Sequence, residues 1–351
     1  MTGGTVSDTS QRSEAGVADL LTDAAGLEGD GRGLDAVRLL TEANRALRDP
    51  RIEERLVTLR HEAFPAQPPE PPAILPPEVV AEDVPAPFAP TNPGDLDAAT
   101  LRRGLARHGC VLVRGLVPPE RAGGLAQGID KALAAFDGCA EAPGQKAAPP
   151  WYVPFSPRDG QYRVGGRRAW VRASGALWTV DSPRMLFELL ELVDETGIGA
   201  LVEAYLGERP ALSANKCTLR RVPVDTNTNW HQDGAFLGRT VRTLNLWLAL
   251  SPCGTHAPGL DIVPRRLDEV LPTGTEGALF DWSVSPALAE QVAGPGAIVR
   301  PEFAPGDALL FDHLFLHRTA VAPGMTRERW AIETWFFAPS SYPEGQIPIA
   351  Y

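Results

Sequence analysis

The spacing of apolar residues predicts helices near the start of the chain. Two apolar stripes recur at helical intervals between residues 34 and 64, with a break at Asp49-Pro50. The stripes are Leu34, Val37, Leu40 and Leu47, then Ile52, Leu56 and Leu59. Residues 31–64 are therefore predicted to form a helical hairpin that is too small to hold a core alone. Residues 1–30 are rich in Gly, Ala, Ser, Thr and Asp, so we expect them to be disordered.

A proline-rich segment follows the predicted hairpin. It contains 11 prolines between Pro65 and Pro93, a density that excludes a helix or a central strand. Residues 65–94 are predicted to be a stiff linker or an arm laid over the surface. We place the domain boundary there.

Residues 95–351 read as one domain in which short strands dominate. Helical patterns cover 101–108, 119–136 and 183–206, and residues 138–182 carry no regular pattern. Short apolar runs separated by Gly and Pro predict strands at 212–222, 228–233, 241–250, 259–263, 297–303, 307–316 and 328–337. The fold class is thus mainly β with flanking helices. The predicted core is a jelly roll, the double-stranded β-helix of cupin-like proteins.

Composition narrows the class of protein. The net charge of −11 and the sequence pI of about 5.1 argue against nucleic acid or an anionic membrane as the main partner. The four cysteines form no Cys-x-x-Cys pair, which disfavours a zinc ribbon and fits a reducing compartment. With no apolar signal core or spanning run, we expect a soluble cytoplasmic protein that acts on a small molecule. The oligomeric state stays open.

One motif carries the chemistry. His231-Gln232-Asp233 lies in a predicted strand, where positions i and i+2 face the same side, and a third ligand is expected from a distant strand. Two histidines and one carboxylate are the facial triad that holds Fe(II) and leaves positions open for a cosubstrate and O2. His313 and His317 share a strand face, so spacing does not choose between them. The following Arg318-Thr319 favours His317 as the third metal ligand.

An oxygenase of this type needs a cation for the distal carboxylate of 2-oxoglutarate. A guanidinium suits that carboxylate because it binds both oxygens at once. Arg329 lies twelve residues after His317, across a turn with Pro323-Gly324, so adjacent antiparallel strands would bring the two residues together. Arg327 is the alternative, and Thr319 offers a hydroxyl to the same carboxylate.

Other candidates line the predicted cavity. On the strand 244–250, Asn245 and Trp247 alternate with leucines, so Trp247 is either a wall of the cosubstrate site or part of the core. Arg168, within a group of arginines between residues 158 and 172, is predicted to contact substrate or to be a solvated loop residue. Lys216 and Arg220 are further candidates for binding the cosubstrate or the substrate.

Taken together, these residues resemble a known family. Residues 95–340 are similar to the phytanoyl-CoA dioxygenase family, a branch of the Fe(II)- and 2-oxoglutarate-dependent oxygenases. The matching pieces are residues 108–116, Trp230-His231-Gln232-Asp233, residues 246–250, residues 259–264, Pro305-Gly306-Asp307-Ala308-Leu309-Leu310-Phe311, His317 and Arg329. The first 90 residues and the loop 267–295 depart from the simplest members, and we expect that loop to shape the substrate side.

The resemblance implies a jelly roll in which His231, Asp233 and His317 hold Fe(II). It implies 2-oxoglutarate as the chelating cosubstrate, with Arg329 and Thr319 at the family's carboxylate-binding positions, and hydroxylation of a C–H bond by O2. In related halogenases a small residue replaces the carboxylate ligand, so Asp233 disfavours halogenation.

Two other functions remain open from the residues alone. The same jelly roll with a different metal would suit an isomerase or hydrolase that uses neither O2 nor 2-oxoglutarate. A non-catalytic scaffold would act through residues 1–90. Neither explains the triad and Arg329 together.

Overall fold

The computed structural model describes residues 5–69, 88–142, 144–157, 165–226, 229–294 and 298–351. Most of the predicted proline-rich linker, residues 70–87, lies outside the described residues. The helices of the described part are α1 Thr5–Gly29, α2 Gly33–Leu47, α3 Pro50–Ala63, α4 Ala98–His108, α5 Pro119–Glu141, α6 Gly165–Ala173, α7 Pro183–Glu195, α8 Ile198–Leu206, α9 Gly234–Leu237 and α10 Pro286–Ala293.

Local sequence explains where several of these helices begin and end. The side chain of Asp49 accepts a hydrogen bond from the Arg51 backbone N–H ahead of α3, and Pro50 suits the first helical position. Asp97 caps α4 in the same way through Thr100. The single helix predicted over 183–206 is two helices, α7 and α8. They are separated at Gly197, whose φ of 71° is a left-handed conformation.

The N-terminal region differs from the prediction. Residues 1–30 were expected to be disordered, whereas the structure has α1 over Thr5–Gly29. Val17 and Ala24 are buried against α2 and α3, and Leu20, Leu21 and Leu27 pack beside them. These positions recur every three or four residues, so α1 gains an apolar stripe that is stabilised only by its neighbours. Composition alone missed this stripe.

The three N-terminal helices also pack on the rest of the chain. Phe187 of α7 joins their apolar cluster. The Arg184 guanidinium donates to the buried Glu53 carboxylate, with 2.6 Å between Nε and Oε1. Arg60 of α3 donates to the Ala350 carbonyl near the C-terminus. The helical hairpin is therefore docked by both apolar and charged contacts.

The strands of the described residues form one large sheet and one small sheet. They are β1 Cys110–Val113, β2 Ala176–Trp178, β3 Ala211–Ser213, β4 Thr218–Val222, β5 Thr243–Ala249, β6 Gly259–Ile262, β7 Ala308–Phe311, β8 His317–Ala320, β9 Arg329–Phe337 and β10 Pro348–Ala350. The large sheet has the order β1-β7-β5-β9-β3-β10, with β2 and β4 joined through β9, and the small sheet is β6-β8. All these strand pairs are antiparallel.

Successive strands from β5 to β9 alternate between the two sheets, as a jelly roll requires. On β5, Leu244, Leu246 and Leu248 pack into the core shared with the helices. Trp247 and Ala249 point the other way, into a second cluster between the sheets. The predicted fold class, a mainly β jelly roll with flanking helices, is confirmed.

Several predicted strands are shorter than expected. The span 212–222 contains a turn between β3 and β4, and β7 ends at Phe311 rather than at residue 316. The described parts of the predicted strands 228–233 and 297–303 form isolated bridges, at Trp230, His231, Val299 and Phe303. Residues 138–182, expected to be irregular, include α6 and β2 in their described part. Within the described residues, no helix is long and apolar enough to cross a membrane.

Candidate metal centre

Three side chains converge at one end of the small sheet. One ligand atom from each of His231, Asp233 and His317 lies within 4.8 Å of the other two. His231 and His317 are paired by two backbone hydrogen bonds of 3.0 and 3.1 Å, which hold the rings side by side. The three residues are thus brought together by a bridge between the 230–231 segment and the start of β8.

Each imidazole is oriented by a backbone carbonyl. His231 Nδ1 lies 3.0 Å from the Asn229 carbonyl, and His317 Nδ1 lies 3.1 Å from the Phe315 carbonyl. A carbonyl only accepts, so we assign the Nδ1–H tautomer to both rings, which leaves each Nε2 lone pair available. His317 Nε2 is 4.0 Å from the Asp233 carboxylate. Burial, aided by nearby His231, lowers the pKa of His317 to about 4, so its imidazole is neutral near pH 7.

Asp233 reaches the site in a different way from the one the sequence suggested. The prediction placed it two positions after His231 in a strand, but its φ of −63° and ψ of −21° are helical, and it is the N-cap residue of the short helix α9. The next residue, Gly234, donates its N–H to the His313 carbonyl at 2.7 Å. A Cβ at this glycine would lie 2.7 Å from the Val270 side chain, so any larger residue at position 234 would force a shift there. His313 therefore contributes its backbone to the turn and is absent from the three-residue cluster.

Gln232 faces away from the cluster, as alternation suggested, and has a role that the sequence did not reveal. Its buried amide donates to the carbonyls of Glu269 and Leu314 and accepts from the backbone of Leu271. The residue between two candidate ligands thus joins three segments of the chain.

Arg329 is fully buried at the start of β9. Its Nη1 donates to the Gly259 carbonyl at 2.8 Å, and its guanidinium lies over the Trp247 ring at 5.3 Å. Its Nε and Nη2 are buried and have no hydrogen-bond partner among the described residues. Burial, with a contribution from Arg220, lowers the pKa of Arg329 to about 10, so it remains a cation near pH 7.

The alternative arginine and the predicted hydroxyl differ from Arg329 in burial. Arg327 is exposed. Thr319 is half-buried on β8 and pairs with Leu260, next to the pair formed by Gly259 and Ala320. Arg329 is bound to the Gly259 carbonyl, so the strand register brings Thr319 into its neighbourhood.

Trp247 packs in the cluster between the two sheets, and Asn245 shares its face of β5 by strand alternation. Both are buried, and the Asn245 Oδ1 and the Trp247 Nε1 have no partner among the described residues. Trp247 also packs against Phe303, with 4.8 Å between the ring centroids. Unpaired buried polar atoms cost free energy unless a ligand or water satisfies them, so they mark this wall as a candidate binding surface.

Lys216 and Arg220 lie at the same end of the barrel. The Lys216 ammonium is 3.8 Å from the Asp233 carboxylate. Arg220 donates to Glu333, which also accepts from Thr218 at 3.0 Å. Burial opposes ionisation of Glu333, but Arg220 and Arg329 outweigh it and lower the pKa of this carboxyl. Glu333 was not among the predicted site residues, although it shares the Arg329 face of β9 by strand alternation.

Arg168 is not part of this site. Its guanidinium donates to both carboxylate oxygens of Asp181, at 2.7 and 2.8 Å, and lies over the Trp178 ring at 5.1 Å. Trp178 belongs to the core shared with the helices, and Asp181 is fully buried beside it, so the described partners of Arg168 lie within the chain. The substrate contact of Arg168 stays a prediction. Residues 158–164, which carry other arginines of that group, lie outside the described residues.

Comparison with known proteins supports the fold. No protein-family model and no curated protein sequence match the chain. A crystal structure of EctD from S. alaskensis with 2-oxoglutarate and 5-hydroxyectoine matches 79% of this chain and 88% of its own, with a TM-score of 0.51 and 17% identity. AviO1 from Streptomyces viridochromogenes Tue57 matches 71% of this chain and 98% of its own, with a TM-score of 0.45 and 20% identity. The chain therefore shares the jelly-roll fold of EctD.

Proposed function

We propose that this protein is an Fe(II)- and 2-oxoglutarate-dependent oxygenase. The net reaction consumes O2 and 2-oxoglutarate, releases succinate and CO2, and inserts one oxygen atom into a C–H bond of a small molecule. The sequence motifs favour the phytanoyl-CoA dioxygenase branch. EctD, whose fold this chain shares, was crystallised with 2-oxoglutarate, which accords with the same reaction class.

One observation carries the proposal: two complementary half-sites face the same space between the sheets. The first is the cluster of two imidazoles and one carboxylate, a donor set that fits Fe(II). The second is the buried Arg329, whose Nε and Nη2 form the guanidinium edge that binds a carboxylate with two parallel hydrogen bonds. A metal hydrolase or isomerase would give no reason for this unpaired edge.

The chain's own residues would then act by holding and orienting. His231, Asp233 and His317 would bind iron, which when present supplies the activation of O2. Arg329 and Thr319 would bind the distal carboxylate of 2-oxoglutarate. Asn245 and Trp247 would form the wall beside it, and the Trp247 ring also keeps Arg329 in place through its face. Burial of these groups excludes water from the reacting centre.

The deciding experiment is an anaerobic titration of the metal-free protein with Fe(II) and 2-oxoglutarate. We expect a visible charge-transfer band from the chelate in the wild type. Asp233→Ala is expected to abolish the band, because one of three ligands is lost. Arg329→Ala is expected to shift the titration to higher 2-oxoglutarate concentrations.

Arg327→Ala is the matched control because this arginine is exposed and two residues away. Its titration should match that of the wild type. A folded, iron-loaded wild type without a band would exclude the oxygenase proposal. If Arg327→Ala weakens the band and Arg329→Ala leaves it unchanged, Arg327 binds the carboxylate and the assignment to Arg329 is wrong.

A further inference from the structure

The outer face of the small sheet carries a row of side chains behind the candidate metal centre. Asp261 of β6 pairs with Arg318 of β8, the residue directly after His317. Successive residues of a strand face opposite sides, so Arg318 lies on the face away from the His317 imidazole. Trp230 precedes His231 in the same way, and the Arg318 guanidinium lies over the Trp230 ring at 4.7 Å.

Charged contacts extend this row across the sheet. The Asp261 carboxylate accepts from Arg318 Nε at 2.9 Å and from Arg300 Nε at 2.7 Å. Arg300 follows Val299, which bridges to β6. Asp261 is 3% exposed and Trp230 is 2% exposed, so these contacts are shielded from water and are stronger than surface contacts. We call Arg300, Asp261, Arg318 and Trp230 the outer ladder, since its members come from four neighbouring segments.

The backbone contact between the two histidine ligands is short. His231 and His317 form an isolated bridge of two hydrogen bonds in the described part of the chain. Side chains in paired segments alternate between the two faces, so a slip of one residue would turn His231 away from His317. Few backbone bonds specify a register weakly, and side-chain contacts must therefore contribute to it.

Such contacts lie on both sides of the first ligand. After His231, Gln232 and Gly234 donate to backbone carbonyls that precede β8. Before His231, the Trp230 ring meets β8 through the Arg318 guanidinium. The outer ladder thus secures the side of the ligand segment that Gln232 and Gly234 do not reach.

The Trp230 ring also packs in an apolar cluster with Val263, Val284 and Leu316. Apolar contacts are non-directional, so they bury the ring without fixing its position along β8. The ion pair is directional, because Nε and Nη2 of Arg318 lie 2.9 and 2.8 Å from one oxygen of Asp261. Arg318 is therefore held in one place and can set where the indole lies.

We propose that Arg318 is a positioning residue for the metal centre: held by Asp261, it fixes the Trp230 indole and so keeps His231 opposite His317. This inference rests on the proposed function and adds to its metal site a residue that supplies no ligand atom. Ligands that are ordered before the metal arrives bind it at a lower cost in ordering free energy. Loss of Arg318 would weaken metal binding and change its geometry although all three ligands remain.

The test uses the full chain and Co(II), which takes the same nitrogen and oxygen donors and whose visible d–d bands report coordination geometry. Titration of the metal-free protein, without 2-oxoglutarate, gives the affinity and the spectrum. Asp233→Ala should abolish the wild-type spectrum, which assigns the bands to the three-residue cluster. Arg318→Met should weaken Co(II) binding about tenfold and alter the band intensities. Arg318→Lys should limit the loss to about threefold, since it keeps a cation beside the Trp230 ring.

Arg221→Met is the matched control. Arg221 also lies over an indole, that of Trp330 at 5.3 Å, and also binds a carboxylate, that of Glu328, but it lies on the large sheet. Its variant should bind Co(II) as the wild type does, with the same spectrum.

Trp230→Leu completes a double-mutant cycle with Arg318→Met. If Arg318 acts through the indole, its replacement should cost less than about threefold in affinity once the indole is absent. Urea unfolding of each variant records its stability separately from metal binding.

Unchanged Co(II) affinity and spectrum in Arg318→Met would overturn the proposal. So would a loss of stability without a change in metal binding, since the outer ladder would then only stabilise the fold. An equal loss in Arg221→Met, or full additivity in the cycle, would also contradict it, and a wild type that binds no Co(II) would remove the metal centre itself. The charge-transfer titration is separate: if Co(II) binds as expected but Fe(II) and 2-oxoglutarate give no band, the proposed function fails and this inference stands.

Discussion

Arg168, which is half-buried, and Arg329, which is fully buried, lie on opposite sides of the large sheet and have opposite surroundings. Arg168, on the helix side, has a carboxylate partner in Asp181, a backbone carbonyl in Phe155 and the Trp178 ring. Arg329, between the sheets, has a ring in Trp247 and carbonyl oxygens, but no carboxylate hydrogen-bonds to it in the described structure. The Arg168 guanidinium has a hydrogen-bonded carboxylate within the chain, whereas Nε and Nη2 of Arg329 have no hydrogen-bond partner among the described residues.

The pKa values of Arg168 and Arg329 differ in the direction that these surroundings predict. Burial alone lowers the pKa of Arg168, but the hydrogen bonds and charge of Asp181 outweigh it and raise the pKa above its ordinary value. For Arg329, burial dominates and the pKa is lowered to about 10. His317, in the same space, also has a lowered pKa because of burial. The space between the sheets therefore holds polar groups whose burial the chain itself does not compensate, a feature typical of functional sites.

The largest expected effect comes from replacing each arginine by methionine. Arg168→Met should lower the free energy of unfolding by roughly 3 to 5 kcal/mol, because it leaves the Asp181 carboxylate buried without its partner. Arg329→Met should change it by less than about 1 kcal/mol, since a buried charge without a hydrogen-bonded carboxylate is replaced by an apolar chain of similar length. Denaturant unfolding of the metal-free variants measures both values. Similar losses in the two variants would remove the distinction.

The pH dependence of the stability of the metal-free protein tests whether burial between the sheets lowers the pKa of His317. His317 has a pKa of about 4 when folded and an ordinary value of 6.5, so between these pH values the unfolded state binds more protons. Stability from this group is fully present above pH 6.5 and is lost as the pH falls toward 4, by about 3 kcal/mol in total.

The measurement is the difference between wild type and His317→Gln in urea unfolding at pH 7 and pH 4.5, with a chelator present. Burial also lowers the pKa values of His108 and His313, and their contributions cancel in this difference, which therefore isolates His317. The wild type should lose more stability on acidification than the variant. Parallel losses would show that burial does not lower the His317 pKa.

Stabilisation of the protein by 2-oxoglutarate should also differ between the Arg168 and Arg329 variants. At 2-oxoglutarate concentrations of about 100 times Kd, the Zn(II)-loaded wild type should gain about 2.7 kcal/mol of stability through binding to the native state. Arg168→Met should keep this gain from its lower starting stability, and Arg329→Met should lose most of it. Thermal unfolding with and without 2-oxoglutarate gives the result. A gain that survives in Arg329→Met would mean that the anion binds elsewhere.

The smallest effect concerns the rings that cover each guanidinium. Trp247→Phe should weaken 2-oxoglutarate binding by about 0.5 to 1 kcal/mol, because phenylalanine attracts a cation less strongly than tryptophan. Trp178→Phe is the matched control, since it covers Arg168 at a similar distance of 5.1 Å. It should leave 2-oxoglutarate affinity unchanged. Titration of both Zn(II)-loaded variants measures the difference, and an equal effect in both would point to general loosening of the core.

Much of the fold was readable from local patterns. Helical stripes identified α2 and α3, and alternation on β5 separated the leucine face from the face with Asn245 and Trp247. Patterns of this kind report which face of an element is buried, because periodicity follows backbone geometry. They missed α1, whose stripe gains stability only from neighbouring helices.

The sequence alone also determined which residue types are candidate metal ligands and which type would bind the 2-oxoglutarate carboxylate. It did so because His-x-Asp with a distant His, and an arginine, are recognised by their side-chain chemistry. Tertiary structure decided which residues meet. It gave Asp233 a helical turn held by the His313 carbonyl, buried Arg329 while exposing Arg327, and paired Arg168 with Asp181. It also brought Trp282 to His231 across some fifty residues of chain. Such contacts depend on how separate segments pack, and no local period in the sequence records that packing.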